Sequence, residues 1–245
     1  MNGNLLQRAI CLLLPTSCAL CAAGGPATLC AQCVDQFFSA AAAVPRCPCC
    51  ANPLGPGAVG ATLCGHCIAQ QPAYDRTLVA SNYAPPVDQL VLQLKFGHRL
   101  ALAALMARRL VAVAQQDDAW LANPPALLCP VPLGPRRLAQ RGYNQALEIA
   151  RPLARVLGVT LHARLVARVR ETAAQSSVAP ARRRANIAGA FAVPAPALAL
   201  IRGRHIGVVD DVMTSGGTLD EMAAVLKRHG AARVTNLVFA RTPPH

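Results

Sequence analysis

One stretch, Ile206-Gly-Val-Val-Asp-Asp-Val-Met-Thr-Ser-Gly-Gly-Thr218, constrains the fold of this chain more than any other. Its first residues include Val and Ile, which favour a buried strand. The apolar run ends in two adjacent acids, Asp210 and Asp211, and a turn of small residues follows from Thr214 to Thr218. A helical pattern from Leu219 to His229 completes the unit. We therefore predict a strand, a tight turn that glycines permit, and a helix.

The turn and the acids suit one kind of ligand. The turn would place backbone N–H groups and hydroxyls at a helix N-terminus, where the dipole and the unpaired donors favour a phosphate. Carboxylates accept hydrogen bonds from ribose hydroxyls, so acids beside an anion site fit a ligand that carries both groups. A sugar phosphate satisfies both halves of the motif. The alternative is an ordinary strand–turn–helix with a capping Thr and a solvated acid pair.

This order of strand, acid pair and Thr-Ser-Gly-Gly-Thr turn resembles the phosphoribosyl pyrophosphate (PRPP) signature of type I phosphoribosyltransferases. The resemblance implies that Asp210 and Asp211 are the catalytic acids and lie at the 2- and 3-hydroxyls of the ribose. It also implies that the turn surrounds the 5-phosphate. The PRPP-binding residues implied in this way are Asp210, Asp211, Val212, Met213, Thr214, Ser215, Gly216, Gly217 and Thr218.

The cysteines form a second pattern. Eleven cysteines in a short secreted chain would suggest a disulfide scaffold, but here they include four CxxC pairs. A CxxC turn lets two thiolates converge on one ion, and two such turns complete a tetrahedral four-cysteine zinc site. We therefore predict two structural Zn²⁺ ions, held by Cys18, Cys21, Cys30, Cys33, Cys47, Cys50, Cys64 and Cys67. Neighbouring and interleaved pairs both satisfy the spacing; a single zinc, or redox or disulfide use, are the alternatives.

The surroundings of these pairs suggest a compartment. Cys49 and His66 lie inside pairs and are candidate substitute ligands, although we expect a bystander thiol and a solvated residue. The segment is rich in Gly, Pro and Ala, so metal binding would have to supply its folding energy.

The apolar run Ala9 to Leu14 is too short to span a bilayer, and we expect a short helix within residues 1–17. Thiols at these spacings indicate a reducing compartment, so we expect a cytoplasmic protein without a membrane span.

The charge balance suggests an anionic partner. The formal net charge is +13, and eight thiolates with two Zn²⁺ ions would lower it without making it negative. Only Lys95 and Lys227 among the 24 basic residues are lysine, which reflects either an Ala-, Arg- and Pro-rich genome or selection for phosphate contacts. An aromatic content of 4% is low for a stacking surface. We therefore expect any contact with single-stranded DNA to rest on arginines and backbone phosphates.

Residues 71–245 alternate between strand and helix patterns. Alternation of this kind implies a parallel sheet with helices on both faces, in which ligands bind at the carboxyl ends of the strands. The predicted strands are Tyr74–Tyr83, Ala126–Leu133, Val159–Leu165, Ala190–Val193, Arg204–Val209 and Arg233–Ala240. The predicted helices before the motif span about 87–96, 99–115 and 145–157.

Two further segments carry candidate phosphate contacts. The strand at Ala126–Leu133 runs into a turn that carries Arg136, Arg137 and Arg141 and precedes a helix. This arrangement predicts a second anion site at the turn. Residues 168–189 carry several arginines and almost no apolar periodicity. We predict a long mobile loop there, and long loops in compact domains are usually functional.

The whole order of motifs resembles the ComF family of phosphoribosyltransferase-like proteins, which are bacterial and linked to DNA uptake in natural transformation. The segments that carry the resemblance are the four CxxC pairs, YAPP…LKFGHR, CPVPLGPRRLAQRGYNQA, RVRETAAQSS…RRRANIAGAF, VVDDVMTSGGT and VFART. The resemblance implies a type I phosphoribosyltransferase fold at 71–245 behind a double zinc ribbon at 18–70. It also implies a pyrophosphate-binding loop and a flexible hood loop. The loop residues are Pro132, Leu133, Arg136, Arg137, Arg141 and Asn144 in the first, and Arg168, Gln175, Arg183 and Asn186 in the second.

Three functions are consistent with these patterns. The first is a PRPP-binding protein of DNA uptake that contacts single-stranded DNA. The second is a phosphoribosyltransferase that moves ribose 5-phosphate from PRPP, with Mg²⁺, to a base-like acceptor; no segment marks an acceptor pocket. The third is a structural role, in which the zinc module is an adaptor to a helicase or another uptake protein.

Overall fold

The structure is a computed structural model that describes residues 17–39, 44–55, 57–58, 62–171 and 187–243. Two expectations fall largely outside these ranges. The predicted helix within residues 1–17 is one of them. The other is most of the predicted hood loop, including Gln175, Arg183 and Asn186. In the part of the chain that is described, no helix is both long enough and apolar enough to cross a membrane.

Five parallel strands form the central sheet in the order β1-β7-β6-β2-β3. They are β1 (Arg76–Asn82), β2 (Leu127–Pro130), β3 (Thr160–Leu161), β6 (His205–Met213) and β7 (Arg233–Arg241). The central strands β6 and β7 are buried along most of their length, as expected of a sheet covered on both faces. The predicted parallel sheet is therefore confirmed.

Helices cover both faces of this sheet. They are α1 (Ala31–Val34), α2 (Gly65–Gln70), α3 (Val87–Phe96), α4 (Ala101–Ala114), α5 (Asp118–Ala122), α6 (Pro135–Arg141), α7 (Gln145–Leu157) and α8 (Gly217–Arg228). One face packs against α3, α4 and α7, and the opposite face packs against α8. Alternate side chains of β7 point to opposite faces of the sheet. Val238 packs on the α8 side, whereas Leu237 and Phe239 pack on the side of α3, α4 and α7.

The cysteine-rich segment packs on both faces of the same sheet. Its first half, with Phe38, joins the core that contains α3, α4 and α7, and the Phe38 ring lies 6.0 Å from that of Phe239 on β7. Its second half, around Cys47 and Cys50, joins the core under α8. The Thr77 N–H on the edge strand β1 donates to the Pro48 carbonyl (3.3 Å), so the segment also covers part of this edge.

Several predicted boundaries were wrong. The strand expected at Val159–Leu165 is reduced to Thr160–Leu161. The strand expected at Ala190–Val193 lies outside the main sheet: β5 (Phe191–Ala192) pairs antiparallel with β4 (Ala167–Arg168). Because these two short strands join the ends of the 168–189 segment, they hold its base in place. The arginine-rich turn after β2 is a helix, α6, with Pro135 in its first turn, where a missing N–H costs no hydrogen bond.

Candidate functional site

The motif of acids and small residues lies where β6 meets α8. Strand β6 continues through both acids to Met213, because Asp210 to Met213 remain in register with β7. The loop then turns at Gly216, which has a φ of +85° and directly precedes α8. A Cβ at Gly216 would lie 2.7 Å from Met213 Cε and 3.0 Å from Tyr74 Oη. The backbone angle therefore favours glycine at this position, and a side chain would also have to displace the end of Met213.

The two acids differ in their surroundings. Asp211 is 6% exposed, and its Oδ2 lies 2.9 Å from Lys95 Nζ at the end of α3. Asp210 is partly exposed, and its Oδ1 accepts a hydrogen bond from the Asp211 N–H (2.9 Å). Burial and the neighbouring Asp211 carboxylate raise the pKa of Asp210 to about 8, and the Lys95 ammonium opposes this shift. The two carboxyl groups therefore repel each other, and the positive charge of Lys95 partly offsets this repulsion.

A cavity of about 560 Å³ joins this motif to the second predicted anion site. Every residue from Asp210 to Leu219 lines it. Leu133, Arg137, Arg141 and Asn144 of the predicted pyrophosphate loop also line it. Arg168 does so as well, and it is the one predicted hood-loop residue within the described ranges. The remaining lining residues include Lys95, Phe96, Leu92 and Tyr83. Segments about 70 residues apart in sequence therefore meet in one crevice at the carboxyl ends of the strands, as parallel sheets favour.

Asn144 supports the turn between α6 and α7. Its Oδ1 accepts from the Ala146 N–H (3.0 Å) and thereby caps α7, while its Nδ2 donates to the Val131 carbonyl beyond β2 (3.0 Å). Both side-chain atoms are used within the protein. The contribution of Asn144 to the cavity is to fix the turn that carries the arginines.

Two residues of the predicted pyrophosphate loop, Pro132 and Arg136, are not among those that line the cavity. The Arg136 N–H donates to Glu171 Oε1 (3.0 Å), and a Cβ at Gly134 would lie 2.6 Å from both oxygens of that carboxylate. The Glu171 carboxylate therefore lies against the first turn of α6, where the helix favours a negative group.

The cations of the cavity are partly buried and near one another. Arg141 donates to Gln145 Oε1 (2.7 Å), and its guanidinium carbon lies 5.2 Å from the centroid of the Phe96 ring. Burial lowers the pKa of both Arg141 and Arg168, and the charge of Arg137 lowers both further. The Asp211 carboxylate opposes the shift of Arg141, and Glu171 and Asp210 oppose that of Arg168. A polyanionic ligand would relieve this mutual repulsion, because it brings negative charge to cations that face one another.

The eight paired cysteines form two clusters, and the neighbouring pairing is the one the structure adopts. Cys18, Cys21, Cys30 and Cys33 form the first, and Cys47, Cys50, Cys64 and Cys67 form the second. In each cluster all four sulfur atoms lie within 4.8 Å of one another. None of the ten cysteines in the described ranges is in a disulfide.

The sulfur geometry fits zinc. Tetrahedral coordination at a Zn–S distance of about 2.3 Å requires sulfurs about 3.8 Å apart, and Cys21–Cys30 and Cys50–Cys64 are 3.7 and 3.5 Å apart. The Cys30 N–H points at Cys18 Sγ (3.4 Å), and the second cluster repeats this contact between Cys64 and Cys47 (3.4 Å). These donors stabilise thiolates. Both clusters could therefore hold a structural Zn²⁺ ion.

The two candidate substitute ligands lie outside the clusters. Cys49 is buried, and its Sγ donates to the Tyr74 carbonyl (3.7 Å). His66 is exposed on α2.

Arg241, at the end of β7, connects the second cysteine cluster with the candidate phosphate turn. The side chain is 5% exposed. Its Nε donates to the Cys50 carbonyl (3.2 Å), and its Nη1 donates to the carbonyls of Met213 (3.1 Å), Thr214 and Thr242 (3.0 Å). One guanidinium thus holds the Cys50 carbonyl and the start of the loop in a fixed relation.

Sequence reasoning assigned no role to Lys95, Phe96, Tyr83 or Arg241. Their local patterns carry no signal, because the partners of Lys95 and Arg241 lie on other elements. The segments LKFGHR and VFART were noted only as family motifs.

Comparison with known proteins supports a phosphoribosyltransferase class. The phosphoribosyl transferase domain matches residues 144–244, which include α7, β6, α8 and β7. The DNA utilization protein YhgH of Salmonella typhi is 35% identical over 238 residues, covering 94% of this chain and 99% of that protein. Competence protein F of Haemophilus influenzae is 31% identical over 218 residues, 87% of this chain and 90% of that protein.

A shorter match links 37 residues, 57% identical, to ribose-phosphate pyrophosphokinase 3 of Oryza sativa. It covers 15% of this chain and 9% of the rice protein. The full-length relatives, the domain match and the paired cysteine clusters together identify the chain as a member of the ComF family of phosphoribosyltransferase-like proteins.

Proposed function

We propose that this protein binds PRPP with Mg²⁺ in the cavity and acts in DNA uptake during natural transformation, in contact with single-stranded DNA. The observation that carries the proposal is the shared cavity: the acid pair, the glycine turn and the arginines at 137 and 141 all line it. PRPP carries hydroxyls, a 5-phosphate and a pyrophosphate, and each finds a complementary group there. The short match to a ribose-phosphate pyrophosphokinase supports a ligand of this class.

Each part of the cavity has a distinct task in this proposal. Asp210 and Asp211 accept hydrogen bonds from the ribose hydroxyls, while Thr214 to Thr218 surround the 5-phosphate with N–H groups and hydroxyls. Arg137 and Arg141 neutralise the pyrophosphate. Carboxylate and phosphate oxygens are the ligands that Mg²⁺ prefers, so the acid pair fits a Mg²⁺ ion that arrives with PRPP and neutralises its pyrophosphate.

The DNA role comes from the relatives and from charge. Proteins that align with most of this chain are named for DNA utilization and competence. Four cations (Lys95, Arg137, Arg141 and Arg168) line the cavity, and the chain has a formal net charge of +13. Phosphates of single-stranded DNA would bind such a surface without sequence preference. We propose the cytoplasm as its compartment, because free paired thiols suit a reducing environment.

A transferase is the second candidate function. The cavity is larger than an anion site alone requires, and Leu92, Phe96 and Tyr83 line it beside the cations. A base-like acceptor could occupy that apolar part, with the arginines stabilising the departing pyrophosphate. The adaptor role would instead use the exposed apolar residues of the second cysteine segment, Leu63 and Ile68, as a surface for an uptake helicase.

Three measurements on the zinc-loaded protein separate these functions. Calorimetry tests Mg-PRPP binding, and release of pyrophosphate is followed across a panel of bases. Fluorescence anisotropy measures the affinity for single-stranded DNA as a function of salt. We expect PRPP binding, no turnover, and a log–log salt slope of about −0.7 per phosphate neutralised. Base-dependent pyrophosphate release would favour the transferase, and DNA binding that is absent at low salt would remove the DNA role.

The adaptor role has its own test. A pull-down of an uptake helicase by the wild-type protein, lost in Ile68→Ser but retained in Val156→Ser on α7, would support it. Both side chains are exposed to similar extents, 62% and 58%, so the comparison isolates the cysteine segment.

A further inference from the structure

Phe96 is an exposed aromatic residue at the mouth of the cavity. It ends α3, whose buried face is formed by Val87, Leu90, Val91 and Leu94 at helical spacing. Phe96 lies off that face: it is 66% exposed and lines the cavity. Its ring therefore contributes little to the core. Exposed aromatic area of this kind beside a charged cavity indicates a binding site, because a ligand there would remove the ring from water.

The ring is held in place by its neighbours. The Arg141 guanidinium carbon lies 5.2 Å from the ring centroid, within the range of a cation–π contact. The end of α3 is fixed to the turn after α6, because the Tyr143 hydroxyl donates to the Leu94 carbonyl. A ring that is already ordered loses little conformational entropy when a planar group stacks on it.

The charge near Phe96 favours a planar group that carries phosphate. Lys95, Arg137, Arg141 and Arg168 line the same cavity, and Arg141 serves both the ring and the cationic surface. Every nucleobase has a π-face, and its attached phosphate would lie within reach of these cations. Single-stranded nucleic acid is bound by this combination of aromatic platform and positive groove.

We propose that Phe96 is the stacking platform for one unpaired nucleobase, with the phosphate of that nucleotide on the arginines of the cavity mouth. This inference rests on the proposed contact with single-stranded DNA and extends it, because arginine contacts alone would be indifferent to the bases. The same ring and cations would also bind the base and phosphate of a free nucleotide. The test therefore includes both single-stranded DNA and free nucleotides.

The experiment compares two oligonucleotides of equal length, one with thymine bases and one abasic, by fluorescence anisotropy on the zinc-loaded protein. Wild-type protein is expected to bind the base-bearing strand more tightly. Phe96→Ala should weaken that binding about 5- to 150-fold, the effect of removing one base–aromatic stack, and should leave the abasic strand unaffected. Phe96→Trp should restore the preference. Leu100→Ala is the matched control, because Leu100 is 45% exposed and lies at the start of α4.

The outcomes distinguish this inference from the proposed function. If both strands bind equally and Phe96→Ala changes neither, the proposed DNA contact stands and the stacking role is overturned. If neither strand binds at low salt, the DNA contact fails, and titration with thymidine and adenosine monophosphates decides the inference. Nucleotide binding that Phe96→Ala weakens would then support the platform, and nucleotide binding that is absent or unchanged would overturn it.

Discussion

Lys95 Nζ lies 2.9 Å from Asp211 Oδ2, in an ion pair between the end of α3 and the end of β6. The Asp211 side chain is 9% exposed and that of Lys95 is 23% exposed, so water screens the pair only partly. Two adjacent carboxylates on a buried strand repel each other, and this ammonium lies directly against one of them, Asp211. The Lys95 charge opposes the rise in the pKa of Asp210 that burial and the Asp211 carboxylate cause.

Replacement of Lys95 by Met should move the pH dependence of PRPP binding upward. Without the ammonium, the pKa of Asp210 rises further, because a charge that lowers it has been removed. Affinity measured by calorimetry between about pH 6 and 9 should then require a higher pH to reach its maximum. Lys227→Met is the control, since Lys227 is the other lysine of the chain and pairs with Asp75 (2.8 Å) away from the cavity. An unchanged midpoint in Lys95→Met would contradict this role.

The raised pKa of Asp210 also predicts how stability depends on pH. The folded protein holds a proton on Asp210 up to about pH 8, whereas the unfolded chain releases it near 3.8. The contribution of Asp210 to the free energy of unfolding should therefore be fully present below the lower value and be lost as pH rises to about 8. Asp210→Asn should lack this loss and be the more stable protein at alkaline pH.

Urea unfolding at acidic and alkaline pH measures this difference. Glu148→Gln on α7 is the control, because Glu148 forms a surface pair with Arg151 (2.7 Å). If the free energies of unfolding of the wild type and of Asp210→Asn change by the same amount between acidic and alkaline pH, the assignment is refuted.

The motif at β6 was readable from sequence because its chemistry is local. The strand, the acids and the glycine turn are consecutive, and the helix at Val87–Phe96 was likewise predicted with correct bounds from its apolar spacing. The two short strands were predicted poorly. Thr160–Leu161 pairs with only two residues of β2, so tertiary contacts rather than propensity set its length.

Contacts between distant segments had no sequence signature. Nothing near Lys95 identifies Asp211 as its partner, and nothing in the CxxC spacing chooses between neighbouring and interleaved clusters. The helix α6 was missed because Gly134-Pro135 reads as a turn, although proline also suits the first turn of a helix. The position of Glu171 against that helix depends on the β4–β5 pair, which sequence reasoning did not find.

Zinc content tests the paired cysteine clusters. The protein purified under reducing conditions should contain two zinc ions, as measured by elemental analysis. Serine at all four positions of the first cluster (Cys18, Cys21, Cys30 and Cys33) should leave one ion, because the second cluster is complete by itself. Loss of both ions in a variant that remains folded would instead indicate interleaved pairs.

Arg241→Lys should break the hydrogen-bonded connection between the second cysteine cluster and the candidate phosphate turn. Lysine keeps the charge but cannot reach Cys50, Met213 and Thr214 at once, since it lacks the planar fork of arginine. We expect two zinc ions to remain and PRPP affinity to fall about tenfold, the effect of losing one hydrogen bond from a charged donor. In wild-type protein, saturating PRPP should raise the affinity for zinc, measured by equilibrium competition with a chelator, because the coupling between two binding sites is reciprocal in free energy.

The chelator assay on Arg241→Lys completes this test. PRPP at saturating concentration should no longer raise the affinity of the variant for zinc. Arg228→Lys on α8 is the control, because Arg228 is 62% exposed. An equal effect of PRPP on zinc affinity in wild type and Arg241→Lys would show that the guanidinium does not connect the sites.

The most direct test of the proposed PRPP site is calorimetric titration of Mg-PRPP into wild-type protein and into the variant with both Asp210→Asn and Asp211→Asn. Each lost hydrogen bond between a carboxylate and a ribose hydroxyl is worth ~1.5–3 kcal/mol, so each substitution should weaken binding about 10- to 150-fold. The variant should remain folded by circular dichroism, because both acids line a cavity. Micromolar or tighter binding in the wild type, with a loss of at least about 100-fold in the folded variant, is the result we predict. Equal affinity of the two folded proteins for Mg-PRPP would contradict the assignment of this cavity.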